Sequence, residues 1–411
     1  MGYFKDTVKG VSWVGAFRGV TRVIAFGKTA ILARVLIPAQ FGLFGIATLI
    51  LAFLEILVET GVNVVLIQER ENIDKYIDTA WVVSIVRGVL ISIVILIAAS
   101  PVSIFFKSPN SLNLLYLIAV VPFIRGFINP SIVKFQKELQ FNKEFWFKST
   151  IFALDAGTAI ILALITKSAT SLVWGLIVGA FAEVILSFIF ARPIPRISFE
   201  IEKVKRVVGR GKWITGAGIF RYLFRQGDDA VVGRILGEAP LGIYQVAYKI
   251  SSLPISEVAD VVARVTFPVY TKIAKDGERL KKAFIKTTLV VLGLVIPVGL
   301  AIFLFPRQIV LIILGEKWLE AVPVLKILSI YGVSRAIVNP ALTLFLAVNK
   351  QELVTLVTFI SVIGLGASII PLISKFGIMG AGMATIIGSL VSIPFVVYHS
   401  YKILFKLKNR K

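Results

Sequence analysis

Arg18, Arg22, Arg125, Arg221, Arg225 and Arg335 stand inside long apolar runs, where a charge is costly and usually faces a protein interior or a wet cavity. Arg18 and Arg22 lie four residues apart within 11–36, so on a helix they share a face, and that run holds no acidic residue to pair with them. Arg221 and Arg225 repeat the spacing within 212–235, with Asp228 and Asp229 three and four residues beyond Arg225. Arg125 and Arg335 sit mid-run in 112–137 and 322–347. A guanidinium presents a planar fork of donors that matches phosphate oxygens, so these six residues are candidates to hold a phosphate or pyrophosphate in a cationic cavity. The competing reading is plain. Arg18 is only about 10 Å along its helix, within snorkelling reach of the interface, and Arg225 has two aspartates close enough to neutralise it.

The acidic counterparts are Glu55 and Glu59 in 40–66, Asp155 in 144–166, Glu183 in 169–192, and Glu257 and Asp260 in 240–265. Glu55, Glu59, Asp155, Asp228 and Asp229 are candidates for ion coupling, although pairing with the arginines of the first run is the favoured role for Glu55 and Glu59. The chain has no cysteine and one histidine, His399 near its end, so thiolate chemistry is excluded and neither a metal site nor a cofactor is expected. No Gly-x-x-x-x-Gly-Lys-Ser/Thr loop is present to bind ATP.

The elements that must position these groups are membrane helices. Hydrophobic residues make up 57% of the 411 and charged ones only 17%, where soluble domains average about 25%. Apolar stretches of spanning length recur along the whole chain. They predict twelve spans, roughly 11–36, 40–66, 78–106, 112–137, 144–166, 169–192, 212–235, 240–265, 282–306, 322–347, 353–374 and 377–403. The net charge of +22 would suggest nucleic acid in a soluble protein. Here Lys and Arg are more frequent in alternate short loops, at the N-terminus, 67–77, 138–143, 193–211, 266–281 and the C-terminus, while loops on the other side carry one or two lysines such as Lys107, Lys167 and Lys375. By the positive-inside rule both termini are cytoplasmic, and nucleic acid is not an expected partner.

The chain repeats itself. ILARVLIPAQFGLFGIA at 31–47 matches VVGRILGEAPLGIYQVA at 231–247, with Arg34, Leu36, Ala39, Gly42 and Ala47 recurring as Arg234, Leu236, Ala239, Gly242 and Ala247. RGFINPSIVKF at 125–135 matches RAIVNPALTLF at 335–345, so the frame Arg-x-x-x-Asn-Pro occurs once in each half. The expected fold is therefore all-α: a six-helix bundle at 1–192, a basic cytoplasmic linker at 193–211 and a second six-helix bundle at 212–411, related by a pseudo-two-fold axis along the membrane normal. Asn129–Pro130 and Asn339–Pro340 are predicted helix breaks or hinges, because proline removes a helical hydrogen bond and asparagine can satisfy the freed backbone. Duplication of that frame favours a packing or hinge role for Arg125 and Arg335, and leaves Arg18 and Arg22 as the preferred phosphate ligands.

The segments ARVLIPAQFGLFGIATLI…VETGVNVVLIQ (33–68) and GRILGEAPLGIYQVAYKISSLP…RVTFPVYTKI (233–273) resemble the paired opening spans of each half of the polysaccharide, or O-antigen, flippases, within the multidrug/oligosaccharidyl-lipid/polysaccharide exporter superfamily. The likeness covers nearly the whole chain and rests on order and spacing. It implies a V-shaped pair of six-helix bundles, as in multidrug exporters of the superfamily, and movement of a lipid-linked oligosaccharide from the cytoplasmic to the outer leaflet of the plasma membrane. Lipid II flippases of the superfamily hold the lipid pyrophosphate on cavity arginines, some in the first span, and Arg18 and Arg22 match such a position. Implied partners are the lipid-linked oligosaccharide, membrane lipids, and a glycan polymerase or glycosyltransferases. Two other readings stand beside it. A multidrug or cation antiporter would favour an acidic or aromatic cavity, and a polytopic glycan polymerase or ligase would need an acid/base pair on larger outer loops.

Overall fold

The computed structural model describes residues 2–58, 73–198, 200 and 211–406, and among these it is helical without strands. The helices are α1 (Gly2–Val35), α2 (Pro38–Leu57), α3 (Asp74–Phe105), α4 (Ser111–Ile118), α5 (Val120–Gly126), α6 (Val133–Lys137), α7 (Phe141–Thr166), α8 (Thr170–Phe190), α9 (Gly211–Leu236), α10 (Glu238–Ile273), α11 (Gly277–Leu304), α12 (Pro306–Ile313), α13 (Ala321–Ala347), α14 (Gln351–Phe376) and α15 (Ile378–Lys406). Within the described residues, the apolar runs read from the sequence fall on helices, that at 112–137 on a set of short ones, and residues 59–66 of the run 40–66 lie outside the described residues.

Eight of the described helices are long and apolar enough to cross a bilayer, or nine if the bent set from Ser111 to Lys137 is one span. The long helices outside that number are α1, α9 and α10, and these are the ones that carry Arg18, Arg22, Arg221, Arg225, Asp228, Asp229, Glu257 and Asp260. The chemistry-bearing helices are thus the least lipid-like ones. By contrast α3 exposes Val86, Leu90, Ile93, Ile97 and Ile104 along its length, as a helix facing hydrocarbon does. The chain is a multi-pass membrane protein.

Contacts divide the chain into two units, Met1–Ala230 with Gly237–Ala239, and Val231–Leu236 with Pro240–Lys411. In the first, one core joins Leu43, Ala47, Leu51 and Leu54 of α2, Ile91 and Ile95 of α3, Leu115 and Ile118 of α4, Ile124 of α5, and Val173 and Ile177 of α8. In the second, Val338, Ala341 and Phe345 of α13 pack with Leu353 and Val357 of α14 and Val396 and Ile403 of α15.

The two copies of Arg-x-x-x-Asn-Pro adopt different structures. In the first unit the helix stops at Gly126, a 3-10 turn runs Pro130–Ile132, and the chain bends by 73°. Asn129 is fully buried and holds the break together: its side-chain oxygen accepts from the Ser131 amide at 2.9 Å, and its Nδ2 donates to the carbonyls of Ala191 at 3.3 Å and Pro193 at 3.1 Å. Its own amide donates to Ser187 Oγ at 3.0 Å. The break predicted at Asn339–Pro340 is absent, because α13 runs through both residues with Pro340 inside it. Asn339 there does not cap the next turn. Its Nδ2 donates instead to Asp260 Oδ1 at 3.2 Å, and Ala341 stands where the first copy has Ser131. Without a side-chain oxygen turned onto the following amides, the helix carries on past the proline.

Candidate functional site

Among the described residues, three groups of polar side chains gather around residues singled out in the sequence. The first is centred on Arg125 at the end of α5. Its Nη1 is 3.2 Å from Glu55 Oε1 of α2, and its Nε is 3.5 Å from Glu183 Oε2 of α8. Arg87 of α3 donates from Nη2 to the Glu55 carbonyl at 2.5 Å. One guanidinium is thus shared by two carboxylates from two other helices. The close approach has a sequence cause. Gly88 and Gly126 follow Arg87 and Arg125 directly, and a Cβ on Gly88 would fall 2.5 Å from the Pro122 carbonyl and 2.9 Å from the Gly126 Cα. Small residues let α3 and α5 touch backbone to backbone, which brings both arginines to Glu55. Glu55 was expected to partner the arginines of the first span, and its carboxylate goes to Arg125 instead. Glu59 lies outside the described residues.

The second group pairs Lys28 of α1 with Asp155 of α7. The ammonium donates to Oδ1 at 2.9 Å and Oδ2 at 2.8 Å, and both side chains are largely buried. Gly175 of α8 closes over the carboxylate, since a Cβ there would lie 2.6 Å from Asp155 Oδ1. Lys28 was not singled out in the sequence. The rule that singled out Arg18 and Arg22, an ionisable residue deep in an apolar run, applies equally to it.

In the second unit Arg335 of α13 donates from Nη1 to the hydroxyls of Tyr248 at 3.2 Å and Tyr331 at 3.4 Å. The two phenol rings lie 6.1 Å apart. With Asn339 on Asp260 one turn further along, α13 is stitched to α10 by polar contacts rather than by a carboxylate pair. The tyrosines were not foreseen: Tyr248 comes from a different helix, and Tyr331, one turn before Arg335 on α13, carries no charge to mark it as a partner.

Arg18 stands apart from these. Among the described residues no ion pair or hydrogen bond ties down its guanidinium. It lines a cavity of about 300 Å³ between α1, α6 and α7, together with Trp13, Phe17, Gln136, Phe141, Glu144 and Phe145. Arg22, one turn further along α1, is exposed. On α9, Arg225 is exposed while Asp228 and Asp229 are buried, and the side chain of Arg221 lies outside the described set. Among the described residues no cluster of His, Asp or Glu has the makings of a metal site.

A family model described as "Polysaccharide biosynthesis protein" matches residues 31–323. The chain belongs to this family. Three curated relatives align with most of its length. An "Uncharacterized membrane protein in cps region" of Klebsiella pneumoniae is 28% identical over 87% of this chain and 74% of its own. The "Lipopolysaccharide biosynthesis protein WzxC" of Escherichia coli (strain K12) is 24% identical over 85% and 71%. The "Teichuronic acid biosynthesis protein TuaB" of Bacillus subtilis (strain 168) is 23% identical over 85% and 73%. Two solved structures share the fold at 16% sequence identity. One is a "Lipid II flippase MurJ, inward closed conformation", with a TM-score of 0.73 over 96% of this chain and 89% of that one. The other is an inward-facing "multidrug resistance MATE family transporter of the MOP superfamily", with a TM-score of 0.72 over 95% and 96%. The sequence-based resemblance to the polysaccharide flippases of that superfamily agrees with both sets of relatives.

Proposed function

We propose that this member of the polysaccharide biosynthesis family is a flippase, which carries a polyprenyl-pyrophosphate-linked oligosaccharide across the plasma membrane by alternating access and without ATP hydrolysis. Its chain crosses the membrane twelve times, as two six-helix halves joined by 193–211, with both termini cytoplasmic. A glycan cannot pass through hydrocarbon unaided, because each unpaired polar group costs several kcal/mol there. The protein supplies a polar path for the head while the polyprenyl tail stays in lipid. The structural likeness to a lipid II flippase and to a multidrug exporter speaks for a transporter fold, and the named relatives in lipopolysaccharide and teichuronic acid synthesis point to a glycan cargo.

The observation that carries the reading is Arg18. Among the described residues of the first unit, Lys28 is spent on Asp155 and Arg125 on Glu55 and Glu183. Arg18 faces a cavity with its donors available, and Arg22 is the next residue along the same face. A pyrophosphate held there is gripped by charge-assisted, bidentate bonds. Arg125 and Arg335 act as packing groups. Drive comes from an ion gradient, the membrane potential or removal of product, with Asp155, Glu55, Asp228 and Asp229 as the groups able to respond.

Reconstituted vesicles test this. Arg18→Ala combined with Arg22→Ala lowers the appearance of lipid-linked glycan on the far leaflet by tenfold or more. Undiminished flipping removes both arginines from the mechanism, and a wild-type protein that flips no glycan lipid but exchanges organic cations for protons moves the chain to the antiporter reading.

A further inference from the structure

The cavity beside Arg18 holds more than an anion needs. At about 300 Å³ it has roughly ten times the ~30 Å³ share of one water in the liquid, and it lies at the small end of the roughly 300–1,000 Å³ range of small-molecule sites. Its walls are aromatic: Trp13 and Phe145 stand with ring centroids 5.3 Å apart, and Phe17 and Phe141 complete the lining. Its polar groups are of opposite charge. Arg18 supplies a guanidinium. Glu144 supplies a carboxylate, whose Oε1 accepts from Gln136 Nε2 at 2.7 Å and from Lys148 Nζ at 2.5 Å. The Lys148 ammonium also lies 5.6 Å over the Phe17 ring.

Each simple occupant conflicts with some part of this set. A bare phosphate or phospholipid phosphate is served by Arg18 alone and gains nothing from four aromatic rings. An organic cation suits the rings, but Arg18 repels it and Lys148 already neutralises Glu144. A hexose bearing a phosphate uses every group. The apolar C–H face of a pyranose stacks on an aromatic ring, its hydroxyls donate to a carboxylate and accept from an amide, and its anomeric phosphate pairs with a guanidinium.

We propose that the cavity between α1, α6 and α7 is a sugar-phosphate subsite, which takes the carrier-proximal hexose of the glycan lipid with its phosphate on Arg18. The identity of the lipid anchor rests on the flippase reading above, whereas the hexose-phosphate chemistry rests on the cavity alone. Gln136, Glu144 and Phe145 lie at or beside the short 138–143 segment, which the alternation of charged loops along the chain puts on the cytoplasmic side, so this is where cargo is loaded.

The full chain in lipid nanodiscs is titrated with three probes: a fifteen-carbon prenyl pyrophosphate carrying one glucose, the same prenyl pyrophosphate without sugar, and dioleoylphosphatidylglycerol. The wild type binds the glucosylated probe about fivefold more tightly than the sugar-free one. Phe145→Leu, which keeps apolar bulk but removes the ring, and Glu144→Gln each bring the ratio of glucosylated to sugar-free affinity down to about one. Arg18→Ala weakens both prenyl probes. Melting temperature by tryptophan fluorescence separates these outcomes from misfolding. Equal binding of the two prenyl probes to the wild type overturns the proposal. So does a sugar preference that survives both Phe145→Leu and Glu144→Gln, or displacement of the glucosylated probe by phosphatidylglycerol at equal concentration. A glucosylated probe that binds with preference but is never translocated defeats the flippase reading and leaves the subsite standing. Translocation without sugar preference does the reverse.

Discussion

Lys28 and Asp155 provide the sharpest test of how the first unit is held together. The ammonium contacts both carboxylate oxygens, at 2.9 and 2.8 Å, and the side chains are only 16% and 15% exposed. At that separation the gross attraction is about 6 kcal/mol for an effective dielectric of ~20, and most of it offsets the cost of taking two charges out of water. The pair is therefore worth little against an apolar replacement but much against half a pair. Lys28→Met strands a carboxylate beneath Gly175 and costs about 3 kcal/mol. Asp155→Asn costs less, about 2 kcal/mol, because a long lysine can turn its head toward water. The double variant costs about 2 kcal/mol, so the coupling is about 3 kcal/mol. With ~2.1 cal/mol/K of unfolding entropy per residue, the Lys28→Met loss amounts to a fall of about 4 °C in Tm for a chain of this length. The six tryptophans report unfolding in detergent without any dye, and the absence of cysteine rules out the thiol-reactive alternative. Additive losses, with the double variant falling as far as the two singles summed, refute the coupling and with it the view that this pair fastens α1 to α7.

The two Asn-Pro copies should respond unequally. Asn129→Ala removes a fully buried cap with three side-chain hydrogen bonds and costs about 3 kcal/mol, while Asn339→Ala loses one exposed bond to Asp260 and costs under about 1 kcal/mol; equal Tm shifts count against the structural difference. Arg125→Met leaves Glu55 and Glu183 without their shared cation and costs about 2 kcal/mol, discounted because the three side chains are a quarter to a third exposed. Adding Glu183→Gln recovers part of that loss, and a further fall in Tm instead contradicts the pairing. The cysteine-free chain also allows topology to be read directly. A membrane-impermeant maleimide applied to intact cells labels Lys167→Cys and Lys375→Cys but not Lys143→Cys, and the opposite pattern inverts the orientation.

Much of the helical layout was legible from the sequence. The run read as 169–192 is the helix Thr170–Phe190, and the run read as 353–374 is Gln351–Phe376. An apolar stretch of spanning length has few ways to satisfy its backbone other than as a helix, so hydropathy alone delimits it. The charged runs were legible as helices too, but length and apolarity alone do not qualify α1, α9 and α10 as spans, because their Arg, Lys, Asp and Glu residues lower their hydropathy.

Periodicity also settled which residues share a face, and so put Arg18 with Arg22. It could not settle what that face meets. Partnership depends on how each helix is rotated and on how closely its neighbours approach, and both are set by contacts between distant segments. Gly88 against Gly126 brings Arg125 to Glu55, 70 positions away in the chain, and Gly175 over Asp155 closes a pair with Lys28 across 127 positions. The repeated Arg-x-x-x-Asn-Pro frame carries the same lesson. Its sequence is duplicated, yet it breaks the chain where Asn129 turns onto Ser131 and leaves α13 whole where Asn339 turns to Asp260. The sequence by itself determined that this is a helical membrane protein with cationic groups in its interior. Only the tertiary structure decided which of those cations are bound to protein carboxylates and which, at Arg18, faces an aromatic cavity, because a side chain's partner is a property of packing in three dimensions and not of its place in a repeat.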